Sequence, residues 1–298
     1  MVGYKGKQFI VNSKKKKYFY HLMKTEELQA WAKDIRNLIL DMCYGVGKKG
    51  VHIGSAMSVV EMLSVLYGEV MHYDPKNGNA EDRDYFILSK GHAYAALYAT
   101  LCKAGFFDKE ELMANFMTDG GLYPVHPVKN TEKGIEFSGG SLGTGISFAV
   151  GKALALKRRG KSNRVFTIVG DGECNEGSVW EAMVSAAHLG LDNLTILVDR
   201  NGLQQDGETE KILKIDIAGM AEKAGLEVVE IDGHDIDAIK SVLEIGHCKM
   251  ENGKPLCIVA HTVKGKGVST MENNNAYHHA ILNEKMYNAA KEELNHGA

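Results

Sequence analysis

With 298 residues the chain has room for one large domain or two small ones, and 44% hydrophobic against 24% charged residues is the balance of a globular protein with a substantial core. Its net charge of −3, with a pI near 6.5, makes no electrostatic case for a nucleic-acid or membrane partner. The five cysteines (43, 102, 174, 248 and 257) lie far apart with no CxxC pair, which argues against a disulfide framework or a zinc site and predicts a reducing, cytoplasmic setting.

Residues 1–24 read as a basic N-terminal extension. MVGYKGKQFIVNSKKKKYFYHL has charges on both sides of a very short apolar patch, so it lacks the continuous apolar run of a signal peptide. No later stretch reaches membrane-spanning length. The four lysines at 14–17 read as a solvated charge run rather than a nucleic-acid patch.

From residue 25 the pattern is helical. TEELQAWAKDIRNLILDMCYGVGKK opens on Thr25 and two glutamates and ends in glycines, as a capped helix does. Ser58 is expected to open a second helix, VVEMLSVLYGEVM. The short apolar run YFILS (85–89), bounded by charges and by Lys90-Gly91, predicts a buried strand. Helical pattern resumes in HAYAALYATLCKAG and again after Asp108. A glycine- and proline-bearing loop follows at 118–134, and then SGGSLGTGISFAVGKALALKRRG, a glycine turn running into a helix.

The second half alternates more cleanly. Strands are predicted at RVFTIV (164–169), LTILVD (194–199), EVVEI and PLCIVA (255–260), with helices between them. Strands that alternate with helices and are nearly all apolar imply a parallel sheet with helices on both faces, an α/β fold. With no disordered linker and no internal repeat, residues 25–298 read as one domain, carrying a tail after Thr262 that ends in a helix.

The informative segment is VFTIVGDGECNEGSVWEAMVSAAHLGLDNLTILVDRNGLQQDG. Gly170-Asp171-Gly172 ends one predicted strand, and Asn201 ends the next, 30 positions later, with one helix between. If the two strands are neighbours, both ends open on the sheet edge where α/β proteins bind ligands. A carboxylate and an amide oxygen there are hard ligands suited to Mg²⁺ or Ca²⁺. The glycines let a backbone approach phosphates, and the following helix points its positive end at them.

Here the sequence resembles thiamine diphosphate enzymes, whose signature is GDG followed about thirty residues later by Asn. GDGECNEGSVWEA, with Glu176-Gly177 after the Asp, resembles the transketolase form. So do HIGSAMSVVEML, DRDYFILSKGHAYAALYA, SGGSLGTGISFAVGKALA and HTVKGKGVSTMENNNAYHH, in the family's order over about residues 30–285. The resemblance implies a thiamine diphosphate-binding (PP-type) domain and a two-carbon ketol transfer from a ketose or its phosphate to an aldose. It implies that Asp171, Asn201 and the main-chain carbonyl of Leu203 hold the metal. Gly170 and the Gly172 amide, with His92 and one of His278 or His279, would meet the diphosphate. His278 is preferred, because Tyr277-His278 resembles an aromatic-His pair of split members. Gly140 and Leu142 would approach the aminopyrimidine. His52, His126 and the His278-His279 pair would face the substrate, where hydroxyl protons leave and return near neutral pH and imidazole is suited to carry them. Glu176 would lie at a dimer contact behind the cofactor.

Two departures stand out. The family usually has Gly before the substrate-loop His-Pro, where this chain has Val125, and its turn commonly reads Leu-Gly-Gln-Gly, where this chain has Thr144. The first sits beside His126 and points to an unusual donor or acceptor sugar. In transketolases the Glu that acts on the aminopyrimidine comes from the domain that follows, whereas this sequence stops soon after His279. The expectation is therefore a C-terminal, pyrimidine-binding partner chain in an α2β2 assembly. Rival readings are the corresponding subunit of a 2-oxo acid dehydrogenase or deoxyxylulose phosphate synthase, and a non-catalytic cofactor-binding scaffold. A nicotinamide-binding domain fails because GGSLGTG follows a polar loop rather than a clear strand.

Overall fold

A computed structural model describes residues 23–247 and 253–296, so the lysine run and Cys248 lie outside the described residues. Helix α1 (Thr25–Gly45) buries Leu28, Ala32, Ile35 and Ile39, an apolar stripe at three- and four-residue spacing. The second expected helix starts earlier and is broken. It comprises α2 (Ile53–Met57), α3 (Val60–Val65) and a π turn (Leu66–Val70). Ser58 does not cap it, because its hydroxyl is engaged by the buried Asp199 carboxylate at 2.8 Å.

The remaining elements follow the predicted alternation. Strand β1 (Tyr85–Leu88) leads to α4 (Tyr94–Lys103) and α5 (Lys109–Asn115), whose cap Asp108 accepts from the Glu111 amide at 2.7 Å. After the long loop come α6 (Thr144–Arg158), β2 (Val165–Gly170), α7 (Gly177–His188) and β3 (Leu194–Arg200). The polar loop after β3 holds a small hairpin, β4 (Leu203–Gln204) and β5 (Gly207–Glu208), and one helical turn, α8 (Thr209–Ile212). Then α9 (Ile217–Ala224), β6 (Glu227–Asp232), α10 (Ile236–His247), β7 (Leu256–His261) and α11 (Glu284–His296) complete the chain.

Five strands form one wholly parallel sheet in the order β1-β2-β3-β7-β6. Successive side chains point to opposite faces, so the strands feed two cores. Phe86, Leu88, Phe166, Ile168, Leu197 and Ile258 face the layer of α1, α3, α4 and α10. Ile87, Val165, Val169, Ile196, Val198 and Val259 face α6, α7 and α9. Burying apolar area on both faces, at about 25 cal/mol per Å², is what holds such a layered sheet. All strands run the same way, so the segments after β1, β2, β3 and β7 emerge on one edge. Among the described residues no helix is long and apolar enough to cross a membrane.

Candidate active site

The register places the decisive motif. Gly170 at the end of β2 pairs with Asp199 of the adjacent β3, so Asp171 and Asn201 stand side by side just past the sheet edge. Both Asp171 oxygens accept backbone amides, Oδ1 from Gly172 at 2.8 Å and Oδ2 from Gly202 at 2.6 Å. The Asn201 amide nitrogen donates to Asp199 Oδ2 at 2.9 Å, which turns its oxygen away, to accept from the Leu203 amide at 3.1 Å. The Leu203 carbonyl faces the Lys264 ammonium at 3.3 Å. Burial, then the nearby Asp199 charge, push the Asp171 carboxyl up to about 6.

This donor set of carboxylate, amide oxygen and peptide carbonyl fits a hard divalent cation. Among the described residues no group of three or more His, Cys, Asp or Glu could hold a metal ion. Gly172 completes the cradle, since a Cβ there would lie 2.8 Å from Gln204 Cβ. A phosphate group can thus approach the backbone where a side chain would block it.

The sequence-predicted histidines converge above this edge. His92, in the turn Gly91–Ala93, stacks on His278 with ring centroids 5.7 Å apart. His52, just before α2, meets His92 at 5.9 Å, His278 at 5.5 Å and His279 at 4.7 Å. The closing segment is fastened to the first by paired backbone hydrogen bonds of 2.9 Å between Val51 and Ala280. His278 faces inward, whereas exposed His279 lies over Gly50, whose φ of 69° and missing Cβ make room for the ring. His126, on the exposed loop, rests on Gly140: a Cβ there would be 3.2 Å from the imidazole. Gly140 has φ 148° and also packs on Gly91, so two glycines let the loop close over the His92 turn. Half-buried Leu142 continues this turn toward α6, and exposed Glu176 stands just before α7, beside Gly143.

His52, His92 and His278 are poised neutral. Burial, followed by the charges of His279 and His126, brings His52 down to about 4. Burial and then Lys264 bring His278 down to about 4, and His92 is lowered well below the ordinary value by burial and Lys90. Neutral imidazoles can both give and accept a proton.

Sequence reasoning missed four buried charged groups. Glu173 joins three motifs: Oε1 accepts from the Ser89 hydroxyl at 2.6 Å and the Gly143 amide at 2.8 Å, and Oε2 from the Gly170 amide at 3.0 Å. Asp199 and Lys90 form a fully buried ion pair beneath Asn201. Lys264, buried and lowered to about 8 first by burial and then by Lys90, contacts His278 Nδ1 at 2.8 Å. The available signal was position: Lys90, Glu173 and Lys264 all sit inside the glycine-flanked motifs.

Residues 28–297 match the family described as transketolase, thiamine diphosphate binding domain. The chain belongs to the transketolase family, as its thiamine diphosphate-binding domain. It is 41% identical over 270 residues to the 6-deoxy-6-sulfo-D-fructose transketolase subunit of Clostridium sp. (strain MSTE9), covering 90% of this chain and 96% of that protein. It is 39% identical, with the same coverage, to an apulose-4-phosphate transketolase subunit of Actinobacillus succinogenes. Among solved structures, transketolase from Campylobacter jejuni matches with a TM-score of 0.82 and 30% identity, over 92% of this chain and 43% of that one. The chain therefore spans less than half of such a full-length transketolase. The α/β sheet and the transketolase, N-terminal-half reading of the motifs both hold.

Proposed function

We propose that this chain is the diphosphate-binding subunit of a two-subunit, cytoplasmic transketolase that moves a two-carbon ketol unit from a ketose or ketose phosphate to an aldose. One observation carries the reading. Asp171, Asn201 and the Leu203 carbonyl lie at the ends of two adjacent parallel strands, and His52, His92 and His278 gather around the same edge. Asp171, Asn201 and Leu203 would hold Mg²⁺ or Ca²⁺, and through it, with Gly172 and His92, the diphosphate. Thiamine diphosphate, when bound, supplies the electron sink for breaking and remaking the carbon–carbon bond. His52, His126 and His278 bind substrate hydroxyls and carry their protons. Leu142 and Gly140 present backbone to the aminopyrimidine.

The partner is a pyrimidine-binding subunit, in an α2β2 assembly with sites at interfaces. This is supported by the relatives called subunits, which this chain matches over 96% of their own length. The test is ketol transfer from a ketose phosphate to an aldose phosphate by purified chain, thiamine diphosphate and Mg²⁺, with and without a candidate partner. Turnover is expected only with the partner. Substantial turnover by this chain alone would overturn the two-subunit reading.

A further inference from the structure

Asp199 touches neither the site's open face nor solvent, and it is completely buried. Yet four side chains from four segments end on it. Its Oδ1 accepts from the Thr262 hydroxyl just past β7. Its Oδ2 accepts from Lys90, from Ser58 at 2.8 Å and from Asn201 at 2.9 Å. An amide side chain has two nearly isosteric ends, one donor and one acceptor. What decides which end faces the site is the partner on the other side. Here that partner is acceptor-only, because an ionised carboxylate has no proton to give. The nitrogen of Asn201 is thereby committed to Asp199, and the oxygen to the opposite side, where it accepts from the Leu203 amide at 3.1 Å.

We infer that Asp199 is a positioning residue for the metal site, fixing Asn201 in the one orientation that presents an oxygen to a divalent cation, while Lys90 offsets the buried charge this requires. Without that constraint an amide flip would turn a donor NH₂ toward the cation and remove one ligand. Partners that orient a ligand without touching the metal commonly tune its affinity by 10- to 100-fold. Lys90 is needed for a separate reason. An unpaired carboxylate in a dry interior is strongly destabilising, whereas removing both members of a buried pair is often tolerated. The two tasks, orientation and charge balance, can be separated by experiment.

The inference rests on Asn201 being a metal ligand, and the experiment tells the two apart. In a Lys90→Met background, Asp199 is replaced by Asn or by Leu, so both double variants have the same charge. The Asn carbonyl can still accept from Asn201, while Leu has a similar shape and no acceptor. Mg²⁺ binding at saturating thiamine diphosphate is followed by calorimetry on the full chain, with thermal unfolding recorded for each variant. Binding by Lys90→Met/Asp199→Asn is expected to stay within about threefold of Lys90→Met, and that of Lys90→Met/Asp199→Leu to fall at least about tenfold, as for other orienting partners. Equal Mg²⁺ affinity in the two double variants overturns the positioning role. Should the two unfold at different temperatures but bind alike, Asp199 is structural only. Failure of the unsubstituted chain to bind Mg²⁺ with thiamine diphosphate strikes instead at the assignment of the metal site.

Discussion

The Lys264 ammonium lies 2.8 Å from Nδ1 of His278. A protonated amine can only donate, so this contact makes Nδ1 the acceptor and leaves the proton on Nε2. The tautomer of His278 thus follows from its charged neighbour. Lys264 also donates to the Leu203 carbonyl and to Asn275 Oδ1 at 3.2 Å. One cation therefore ties the loop after β3 to the segment that closes over it.

A comparable link at the other end of the site predicts a stability cost. Glu173 is buried and satisfies a hydroxyl and two backbone amides from the β1, β2 and α6 motifs. Replacing it with Ala leaves three donors without their acceptor in a site water does not reach. Each buried group left unpaired costs roughly 1–3 kcal/mol, so Glu173→Ala is expected to lose about 3 kcal/mol or more. Urea denaturation of the cofactor-free chain measures this, and a midpoint equal to that of the unsubstituted protein would show the three contacts to be dispensable.

The legible and illegible parts of this site differ in physical kind. Strands such as YFIL and LTILVD are read because they are buried on both faces and so carry unbroken apolar runs. Asp171, Asn201 and the histidines stand out as candidates because they sit in fixed glycine-flanked motifs, and the structure brings them to one sheet edge. The hairpin β4–β5 is hidden, since strands of two residues each have no period to detect. The break between α2 and α3 is hidden too, because the hydroxyl that looks like a cap is spent on a carboxylate 141 positions away. Lys90, Asp199 and Lys264 are charged residues that a composition-based reading assigns to the surface. Only their partners, distant in sequence, show why they can be buried.

Acid sensitivity follows from the neutral imidazoles. His52 and His278 titrate near 4 in the folded chain, first because burial penalises their charged form, against an ordinary value of 6.5. Between pH 6.5 and 4 the unfolded chain binds these protons and the folded chain refuses them, so stability falls as pH drops through that window. Asp171 works in the opposite sense, since its carboxyl stays protonated up to about 6 in the fold against 3.8. Asp171 therefore offsets part of the acid destabilisation that His52 and His278 contribute. His52→Phe removes one of the two, together with an Nδ1 that is buried without a hydrogen-bond partner among the described residues. The thermal midpoint of the cofactor-free variant is expected to fall less between pH 6.5 and 4. Parallel curves for variant and parent would remove His52 as a source of the sensitivity.

On the proposed function, His126 handles substrate and not cofactor. Its imidazole rests on Gly140 in an exposed loop, whereas Asp171, Asn201 and Leu203 are held at the sheet edge by β2 and β3. The neighbouring backbone is held independently of the ring: the Gly139 amide donates to the Pro127 carbonyl at 3.0 Å, and the Ser138 hydroxyl accepts from the Lys129 amide at 2.9 Å. Truncating the ring should therefore leave the loop in place. It should also leave thiamine diphosphate affinity within about twofold, a difference of about 0.4 kcal/mol. Loss of a group that transfers protons at the reacting centre typically costs 10²- to 10⁴-fold, so His126→Ala is expected to lower kcat/KM of the reconstituted enzyme by about 100-fold. Steady-state kinetics with the partner present, beside a calorimetric titration of cofactor, give both quantities. A variant that keeps the parent's kcat/KM, or that loses cofactor affinity in proportion to its rate, would place His126 outside the substrate-handling set.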